Sequence, residues 1–123
     1  MVYNEKDANE CAELVLNDVK RATASCLYSY ELEQEPLPEV GDISVVTDWS
    51  GIEKCIIKVE KVEIIPYNEI TEEFARTEGE GDKSLKYWRE VHWEFYSREL
   101  AGSRYEPEEN MLIVCEYFQV IFR

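Results

Sequence analysis

The sequence predicts a single α+β domain in which helices pack against a curled β-sheet. Two long stretches place apolar residues at helical spacing, and others alternate apolar and polar residues as strands do. A length of 123 residues, 45% of them apolar and 12% aromatic, suffices for one core and leaves no room for a second domain. We expect one domain over residues 1–123, with roughly four to six strands in a mixed sheet that approaches a small barrel and two or three packed helices.

The N-terminal third predicts a helix, a strand and a loop. From Asp7 the apolar residues recur at helical spacing, and Asp7 with Glu10 forms a capping-box pattern at the helix start. Residues 22–32 are rich in β-compatible side chains and predict the first strand. Two prolines within residues 35–42 then predict a loop, because proline lacks the amide hydrogen that regular structure needs.

Residues 43–65 predict a hairpin. Residues 43–47 form the second strand, residues 48–51 the turn, and residues 54–65 the third strand. In the third strand the apolar residues first occupy odd positions, Ile57 and Val59, and then even positions, Val62 and Ile64. One extra residue between the sets predicts a bulge or a bend, the device by which a sheet curls toward a barrel.

The C-terminal half predicts two helices and a central strand. A short helix runs from Asn68, its predicted N-cap, through residues 74 and 75, and Gly79 and Gly81 end it. Asp82 or Ser84 opens the next helix, whose apolar face comprises Leu85, Trp88, Val91 or His92, and Phe95. Residues 111–122 alternate in two apolar-rich series, which is typical of a central strand covered on both faces.

The charge of the chain restricts its partners. With 27 acidic and 13 basic residues the formal net charge is −14, which opposes a phosphate backbone, so we expect no long duplex DNA. A local basic pocket can still hold one nucleotide, because a site responds to charges within about 8 Å in physiological salt. We therefore expect a small nucleoside-like ligand or single-stranded RNA as partner. No segment approaches the ~20 apolar residues of a membrane span, so no membrane partner is expected.

The cysteines and acidic residues predict no metal or cofactor. Four cysteines lie far apart without a Cys-x-x-Cys pair, and the chain has one histidine, so neither a zinc site nor a redox pair is encoded locally. Each cysteine has apolar neighbours and reads as a buried thiol, which favours a reducing, cytoplasmic location. Glu78, Glu80 and Asp82 suggest a hard cation, but they lack the spacing of an EF-hand loop.

Two motifs carry a resemblance to a known family. Residues 74–93 read Phe-Ala-Arg-Thr-Glu-Gly-Glu-Gly-Asp-Lys-Ser-Leu-Lys-Tyr-Trp-Arg-Glu-Val-His-Trp, and residues 20–25 read Lys-Arg-Ala-Thr-Ala-Ser, with Val-Gly-Asp at 40–42. The chain resembles the ASCH domain family, in the branch with a Glu-Gly-Glu-Gly-Asp loop and a Tyr-Trp-Arg-x-x-His-Trp helix. The resemblance implies a PUA-like β-barrel. Two departures are the Asp-Val pair at 18–19, where the family has a glycine turn, and the lack of an aromatic-glycine segment before the first helix.

The resemblance also implies a catalytic trio. Distant ASCH relatives that deacylate N4-acetylcytidine use a lysine, a threonine three residues later and a glutamate at the end of the short helix, which correspond to Lys20, Thr23 and Glu78. Thr23 would supply the hydroxyl nucleophile. Lys20 is either the base, with Glu78 orienting the substrate, or a charged oxyanion stabiliser beside Glu78 as the proton shuttle. A lysine pKa of about 10.4 in water makes the first role dependent on burial.

Further residues are candidates for substrate binding, and each has a purely structural alternative. The candidates are Ser25, Glu80, Tyr87, Arg89 and His92. Arg89 suits a phosphate or a neighbouring carboxylate, whereas His92 also fits a core position on its helix. The leading functional hypothesis is an amidohydrolase of a modified nucleoside or nucleotide-like molecule such as N4-acetylcytidine. The alternatives are an RNA-binding module, with or without ribonuclease activity, and a non-enzymatic metabolite sensor or partner-binding domain.

Overall fold

The computed structural model describes residues 4–123. Within that range it contains four α-helices, a short 3-10 helix and four strands. In chain order these are α1 (Glu5–Leu16), β1 (Ala22–Cys26), α2 (Leu27–Glu33), β2 (Ile43–Thr47), β3 (Glu53–Pro66), the 3-10 helix (Tyr67–Glu69), α3 (Glu72–Glu78), α4 (Leu85–Leu100) and β4 (Leu112–Phe122).

The four strands form one sheet with the order β1-β4-β3-β2. The central position of β4 agrees with its two apolar series, and its residues Ile113, Val114 and Cys115 are all buried. The sheet curls into a half-barrel, which confirms the α+β class and the barrel-like architecture. Two details differ from the expectation. All three strand pairings are antiparallel, so the sheet is not mixed, and four α-helices accompany it in the described range where two or three were expected.

Strand β3 contains the predicted irregularity. Its pairing with β4 shifts register between Val59 and Lys61. Val59 lies opposite Phe118 and Val62 lies opposite Glu116, and residues opposite each other share a face of the sheet. Because 116 and 118 are two positions apart on β4, Val59 and Val62 face the same side despite their odd spacing. The bulge therefore keeps the apolar residues of β3 on one face while the strand bends.

Apolar clusters cover both faces of the sheet. The larger one joins β1 and β4 to α3 and α4, and it includes Ala22, Ala24, Cys26, Phe74, Ala75, Trp88, Tyr96, Leu100, Ile113 and Cys115. The smaller one joins Val15 of α1 to Cys55 and Phe118. Cys115 and Phe118 are an odd number of positions apart on β4, so they point to opposite faces. The larger cluster positions the helix ends that carry the candidate site.

Helix α1 begins earlier than its sequence pattern suggested. Asn4 is the N-cap, and its side-chain oxygen accepts a hydrogen bond from the Asp7 amide at 2.9 Å. The helix therefore starts at Glu5, and Asp7 lies in its first turn, where its charge suits the helix dipole. The cap prediction erred because Asn and Asp are nearly equivalent N-cap residues, and only the structure selects between two candidates three residues apart.

The predicted strand at 22–32 ends at Cys26, and helix α2 replaces its second half. Tyr28 and Leu32 of α2 are four residues apart and pack against the larger core cluster. That spacing places both side chains on one helical face. Tertiary packing has therefore overridden a composition that favours strands, as β propensity permits.

The predicted N-cap of α3 is wrong, and the structure decides which residue of α4 faces the core. Asn68 lies in the 3-10 helix, and the N-cap of α3 is Thr71, whose Oγ1 accepts from the Phe74 amide at 3.1 Å. Ser84 caps α4, as one of the two predicted options. The buried residues of α4 are Trp88, His92, Tyr96 and Leu100. His92 rather than Val91 thus occupies the core-facing position.

The structure agrees only in part with the prediction that all four cysteines are buried thiols. The four cysteines are free, three of them buried, and Cys11 is half-buried rather than buried. Its position near the surface of α1 explains that difference, because α1 exposes one side to solvent.

None of the helices within residues 4–123 combines the length and the apolarity needed to cross a membrane.

Candidate functional site

A buried cluster of polar side chains lies where β1, α3 and α4 meet. Lys20 precedes β1 by two residues, Glu78 is the last residue of α3, and Glu80 follows in the glycine-containing loop. Trp88 and His92 lie four residues apart on α4 and therefore on one helical face. We call these five residues the Lys20 network.

Lys20 is held between two carboxylates. Its Nζ lies 3.0 Å from Oε2 of Glu78 and 2.9 Å from Oε1 of Glu80. The side chains of Lys20 and Glu78 are only 3% and 1% exposed, whereas that of Glu80 is 16% exposed. Glu80 is therefore the part of this ion triad that solvent reaches most readily.

The second side of Glu78 is held by α4. Trp88 Nε1 donates to Oε1 of Glu78 at 2.6 Å, and His92 Nε2 lies 3.3 Å from Oε2. The Trp88 carbonyl, which can only accept, lies 2.8 Å from His92 Nδ1, so Nδ1 carries a hydrogen. The Lys20 ammonium and the His92 ring thus both face Oε2 of Glu78, while Trp88 bonds Oε1.

The pKa values of the central pair move in opposite directions. Burial alone would raise the pKa of Glu78, but the Lys20 ammonium and the His92 ring outweigh it and lower that pKa to about 2. Burial would lower the pKa of Lys20, but Glu78 and then Glu80 outweigh it and raise that pKa above its ordinary value. Both groups are therefore charged at neutral pH. Of the two roles left open by the sequence, these charges support Lys20 as a charged donor and not as a base.

The turn before Lys20 accounts for the departure from the family pattern. Asp18 has φ +59°, a left-handed conformation that glycine adopts freely and that Asp tolerates better than most residues. The amides of Val19 and Lys20 both donate to the Leu14 carbonyl, and the Arg21 amide donates to the Thr77 carbonyl at 2.9 Å. Asp18 therefore adopts a turn conformation that is also open to glycine, and the bond to Thr77 ties the start of β1 to the end of α3.

Gly79 allows the two segments to approach each other. It caps α3 with φ +75°, and a Cβ built on it would lie 2.3 Å from the Val19 carbonyl oxygen. That distance is far below van der Waals contact, so any side chain here would separate the Lys20 segment from α3. The close backbone contact thus sets the distance between Lys20 and Glu78.

Replacing Gly79 with alanine is expected to reduce the free energy of unfolding by about 2 kcal/mol or more, from left-handed strain together with the clash at Val19. Gly102→Ala is the matched control, because Gly102 has φ +76° but open space around its Cβ position. It measures the backbone cost alone, about 1 kcal/mol. Urea denaturation of both variants makes the comparison. Equal losses in the two variants would show that the contact with Val19 has no energetic weight.

A cleft of about 140 Å³ lies beside the Lys20 network. Helix α1 forms one wall, and the loop after α3 with the start of α4 forms the other. Its lining residues are Asp7, Glu10, Cys11, Leu14, Glu80, Gly81, Tyr87 and Val91. Among the lining residues, Glu80 is the one whose side chain bonds the Lys20 ammonium. The network is thus connected to solvent through a carboxylate.

The other predicted site residues are distributed over the fold. Tyr87 lines the cleft with Glu80, and His92 belongs to the network. Arg89 lines a different cleft, formed by the 3-10 helix and α4, and Ser25 lines a third one beside α2. Of the five substrate-binding candidates, Glu80, Tyr87 and His92 are therefore grouped around Lys20, while Ser25 and Arg89 lie elsewhere.

Thr23 stands apart from the other two members of the implied trio. It lies opposite Glu116 in the sheet, whereas its neighbours Ala22 and Ala24 point to the other face, into the core beside α3. Within residues 4–123 no hydrogen bond joins Thr23 to Lys20 or Glu78. The alternation Ala-Thr-Ala-Ser-Cys at 22–26 contains this information, because successive strand residues face opposite sides.

Trp88 is a polar member of the site that sequence reasoning assigned to packing alone. Its ring is buried and stacks on His92 with centroids 4.1 Å apart, as a core residue would. Its Nε1 hydrogen nevertheless serves Glu78. The general rule that a buried indole finds an acceptor could have suggested this role.

The same cluster contains the ligand types of a metal site. Single atoms of Glu78, Glu80 and His92 all lie within 4.8 Å of one another. Hard cations bind carboxylate oxygens, whereas imidazole nitrogen suits transition metals such as Zn²⁺. Lys20 Nζ, however, bonds both carboxylates and already supplies the positive charge they require. A metal ion here would have to compete with that ammonium.

Comparison with known proteins identifies similar sequences and folds. A family model described as ASCH domain matches residues 1–122. The crystal structure of an ASCH domain from Lactobacillus crispatus JV V101 is similar with a TM-score of 0.95 and 44% identity, over 100% of this chain and 77% of that chain. A protein from Enterococcus faecalis V583 is similar with a TM-score of 0.88 and 36% identity, over 97% of this chain and 71% of that one.

One more distant match shows similarity of fold alone. The crystal structure of a hypothetical protein is similar with a TM-score of 0.62 and 23% identity, covering 91% of this chain and 92% of that one. No protein with a curated description is significantly similar to the chain.

Proposed function

The chain belongs to the ASCH domain family, and from that premise we propose that it is an amidohydrolase of a small modified nucleoside such as N4-acetylcytidine. One observation carries the proposal: the Lys20 ammonium is fixed between Glu78 and a carboxylate, Glu80, that lines a cleft. An ammonium has three hydrogens, and two of them serve these carboxylates. The third has no partner among residues 4–123, and we infer that a substrate bound beside Glu80 accepts it.

The charge of the cleft narrows the substrate class. Its walls include three carboxylates, on Asp7, Glu10 and Glu80, and no lysine or arginine. Carboxylates repel phosphate but accept hydrogen bonds from the N–H and hydroxyl groups of an uncharged nucleoside. This favours a nucleoside over a nucleotide, and it disfavours an RNA strand at this cleft, because RNA affinity depends on neutralised phosphates.

The roles follow from the charges. Lys20, whose raised pKa keeps it protonated, stabilises the oxyanion that forms when water attacks the amide carbon. Glu80 accepts the proton of that water and returns it to the leaving amine, so the products are a carboxylic acid, which ionises, and the nucleoside with its free amino group. Glu78 and His92 hold Lys20 in position. Thr23, the nucleophile that the resemblance implies, faces away from Lys20, so in this proposal water attacks directly.

The test is hydrolysis of N4-acetylcytidine, followed by chromatographic measurement of cytidine. We expect Lys20→Met to reduce kcat/KM by about 10²-fold or more through loss of the oxyanion donor. Glu80→Gln should reduce it by about 10²-fold through loss of the proton acceptor. Thr23→Val should retain activity, as should Glu90→Gln, which removes an exposed carboxylate of α4. Circular dichroism establishes that each variant is folded.

Three outcomes would contradict the proposal. One is wild-type turnover in both Lys20→Met and Glu80→Gln. Another is loss of activity in Thr23→Val with retention in Glu80→Gln, which would restore the threonine as nucleophile. The last is a rise in thermal midpoint with N4-acetylcytidine but no product, which would identify a binding domain and not an enzyme.

A further inference from the structure

A second cleft, of about 340 Å³, lies on another part of the surface. It is formed by the 3-10 helix, α4 and the segment before β4, and its lining residues are Tyr67, Asn68, Arg89, Trp93 and Glu109. None of them lines the cleft beside Lys20. The two clefts are therefore separate sites.

The walls of this cleft are fixed by hydrogen bonds. The Tyr67 hydroxyl donates to the Arg89 carbonyl at 2.7 Å, which joins the 3-10 helix to α4. The Asn68 amide donates to the Glu109 carbonyl at 2.9 Å, which joins the same helix to the segment before β4. The Tyr67 and Trp93 rings are in tilted contact, with centroids 5.4 Å apart. The half-buried indole is thus a supported surface that binding need not reorganise.

The polar side chains of the cleft are available to a ligand. Arg89 is exposed, and no carboxylate of residues 4–123 lies within ion-pair distance of its guanidinium, although the chain has 27 acidic residues. The side-chain amide of Asn68 is exposed and forms no hydrogen bond to the described part of the protein. The cleft therefore combines an aromatic surface, a planar cation and an amide that both donates and accepts.

We propose that this cleft binds a ribonucleoside 5′-monophosphate. The base stacks on Trp93, where stacking is favourable for any base. Asn68 forms hydrogen bonds with the base edge, and Arg89 pairs with the phosphate through its fork of N–H groups. Glu109 accepts a hydrogen bond from a ribose hydroxyl. This site is independent of the activity proposed for Lys20.

A nucleotide fits the groups that line the cleft better than inorganic phosphate or a nucleoside does. Inorganic phosphate would use Arg89 and leave the indole bare. A nucleoside would use Trp93 and Asn68 but leave the guanidinium unpaired, and charge-assisted bonds are the stronger contribution. Only the phosphorylated nucleoside engages all of these groups at once.

The experiment is a titration of the ¹⁵N-labelled protein with cytidine 5′-monophosphate, in parallel with cytidine, inorganic phosphate and a short oligocytidylate. We expect the nucleotide to shift the indole signal of Trp93 and the side-chain signal of Asn68. The indole signal of Trp88, which is buried on Glu78, is an internal reference that should stay in place. Trp93→Phe assigns the Trp93 signal.

Variants identify the groups involved. Arg89→Gln should weaken nucleotide binding on the order of tenfold and leave cytidine binding unchanged. Asn68→Ala should weaken the binding of both the nucleotide and cytidine. Arg98→Gln is the charge-matched control on the same helix, since Arg98 pairs with Glu94 instead of lining the cleft. Unchanged thermal midpoints establish that the substituted side chains, both exposed, do not hold the fold.

The outcomes decide as follows. Oligocytidylate that binds this cleft more tightly than the mononucleotide supports the site and assigns its ligand to an RNA strand. Absence of shifts at millimolar nucleotide would overturn the proposal. So would nucleotide binding that Arg89→Gln leaves intact, or inorganic phosphate that binds as tightly as the nucleotide.

Discussion

Replacing Glu78 with glutamine is expected to reduce the free energy of unfolding by about 3–5 kcal/mol, the cost of removing one partner from a buried ion pair. The amide preserves the shape of the side chain but removes the charge that faces Lys20 and His92. The Lys20 ammonium is buried and cannot recover its hydration. The amide nitrogen would also bring a donor toward Trp88 Nε1 or Lys20 Nζ, which are donors themselves.

Urea denaturation at pH 7 measures this loss. Glu90→Gln is the matched control: an identical change on an exposed position of α4, expected to alter stability by less than about 0.5 kcal/mol. Combining Glu78→Gln with Lys20→Met should cost less than the sum of the single variants, because the pair then leaves no uncompensated lysine. If Glu78→Gln were as stable as the control, the network would not hold buried ions.

The stability of the protein is expected to fall by about 3 kcal/mol in acid through Glu78 alone. The folded-state pKa of Glu78 is about 2, against 4.5 without the network. A depressed pKa contributes stability that is fully present above the unfolded value and is lost as pH falls through the folded one. The loss from Glu78 therefore begins near pH 5 and continues to about pH 2.

Urea denaturation between pH 7 and pH 3 tests this dependence, with Glu78→Gln as the reference protein. Many other carboxylates titrate in the same range, but they do so in both proteins. The stability difference between wild type and variant should therefore shrink as the pH falls below 5. Parallel curves would mean that the folded protein does not lower the pKa of Glu78.

The sequence could predict those parts of the fold whose determinants are local. Ser84 as a cap, Gly79 as a helix end and the bulge in β3 each follow from a few neighbouring residues. Helix α2 could not be predicted in this way. The residues after Cys26 suit a strand, and they form a helix because Tyr28 and Leu32 can then reach the core.

The candidate site was predictable in part. The apolar periodicity alone predicts that Lys20 and Glu78 are exposed charges. Only the family resemblance predicted that they belong to one site. Their burial depends on contacts between residues 58 positions apart, and no local pattern encodes such contacts. For Thr23 the local pattern was the better guide, since strand alternation places it on the face opposite Ala22 and Ala24.

The order in which the Lys20 network can assemble follows from where its members stand in the chain. Glu78 lies 10 residues from Trp88 and 14 from His92, so α3 and α4 can bring these three together through a short loop. Lys20 lies 58 residues from Glu78, so closing that longer loop costs more entropy, and we predict that this contact forms later. In this order, Lys20 would connect the start of β1 to the Glu78 carboxylate, which Trp88 of α4 already bonds. Contacts that form late mainly affect the rate of unfolding, so we predict that Lys20→Met speeds unfolding more than it slows folding.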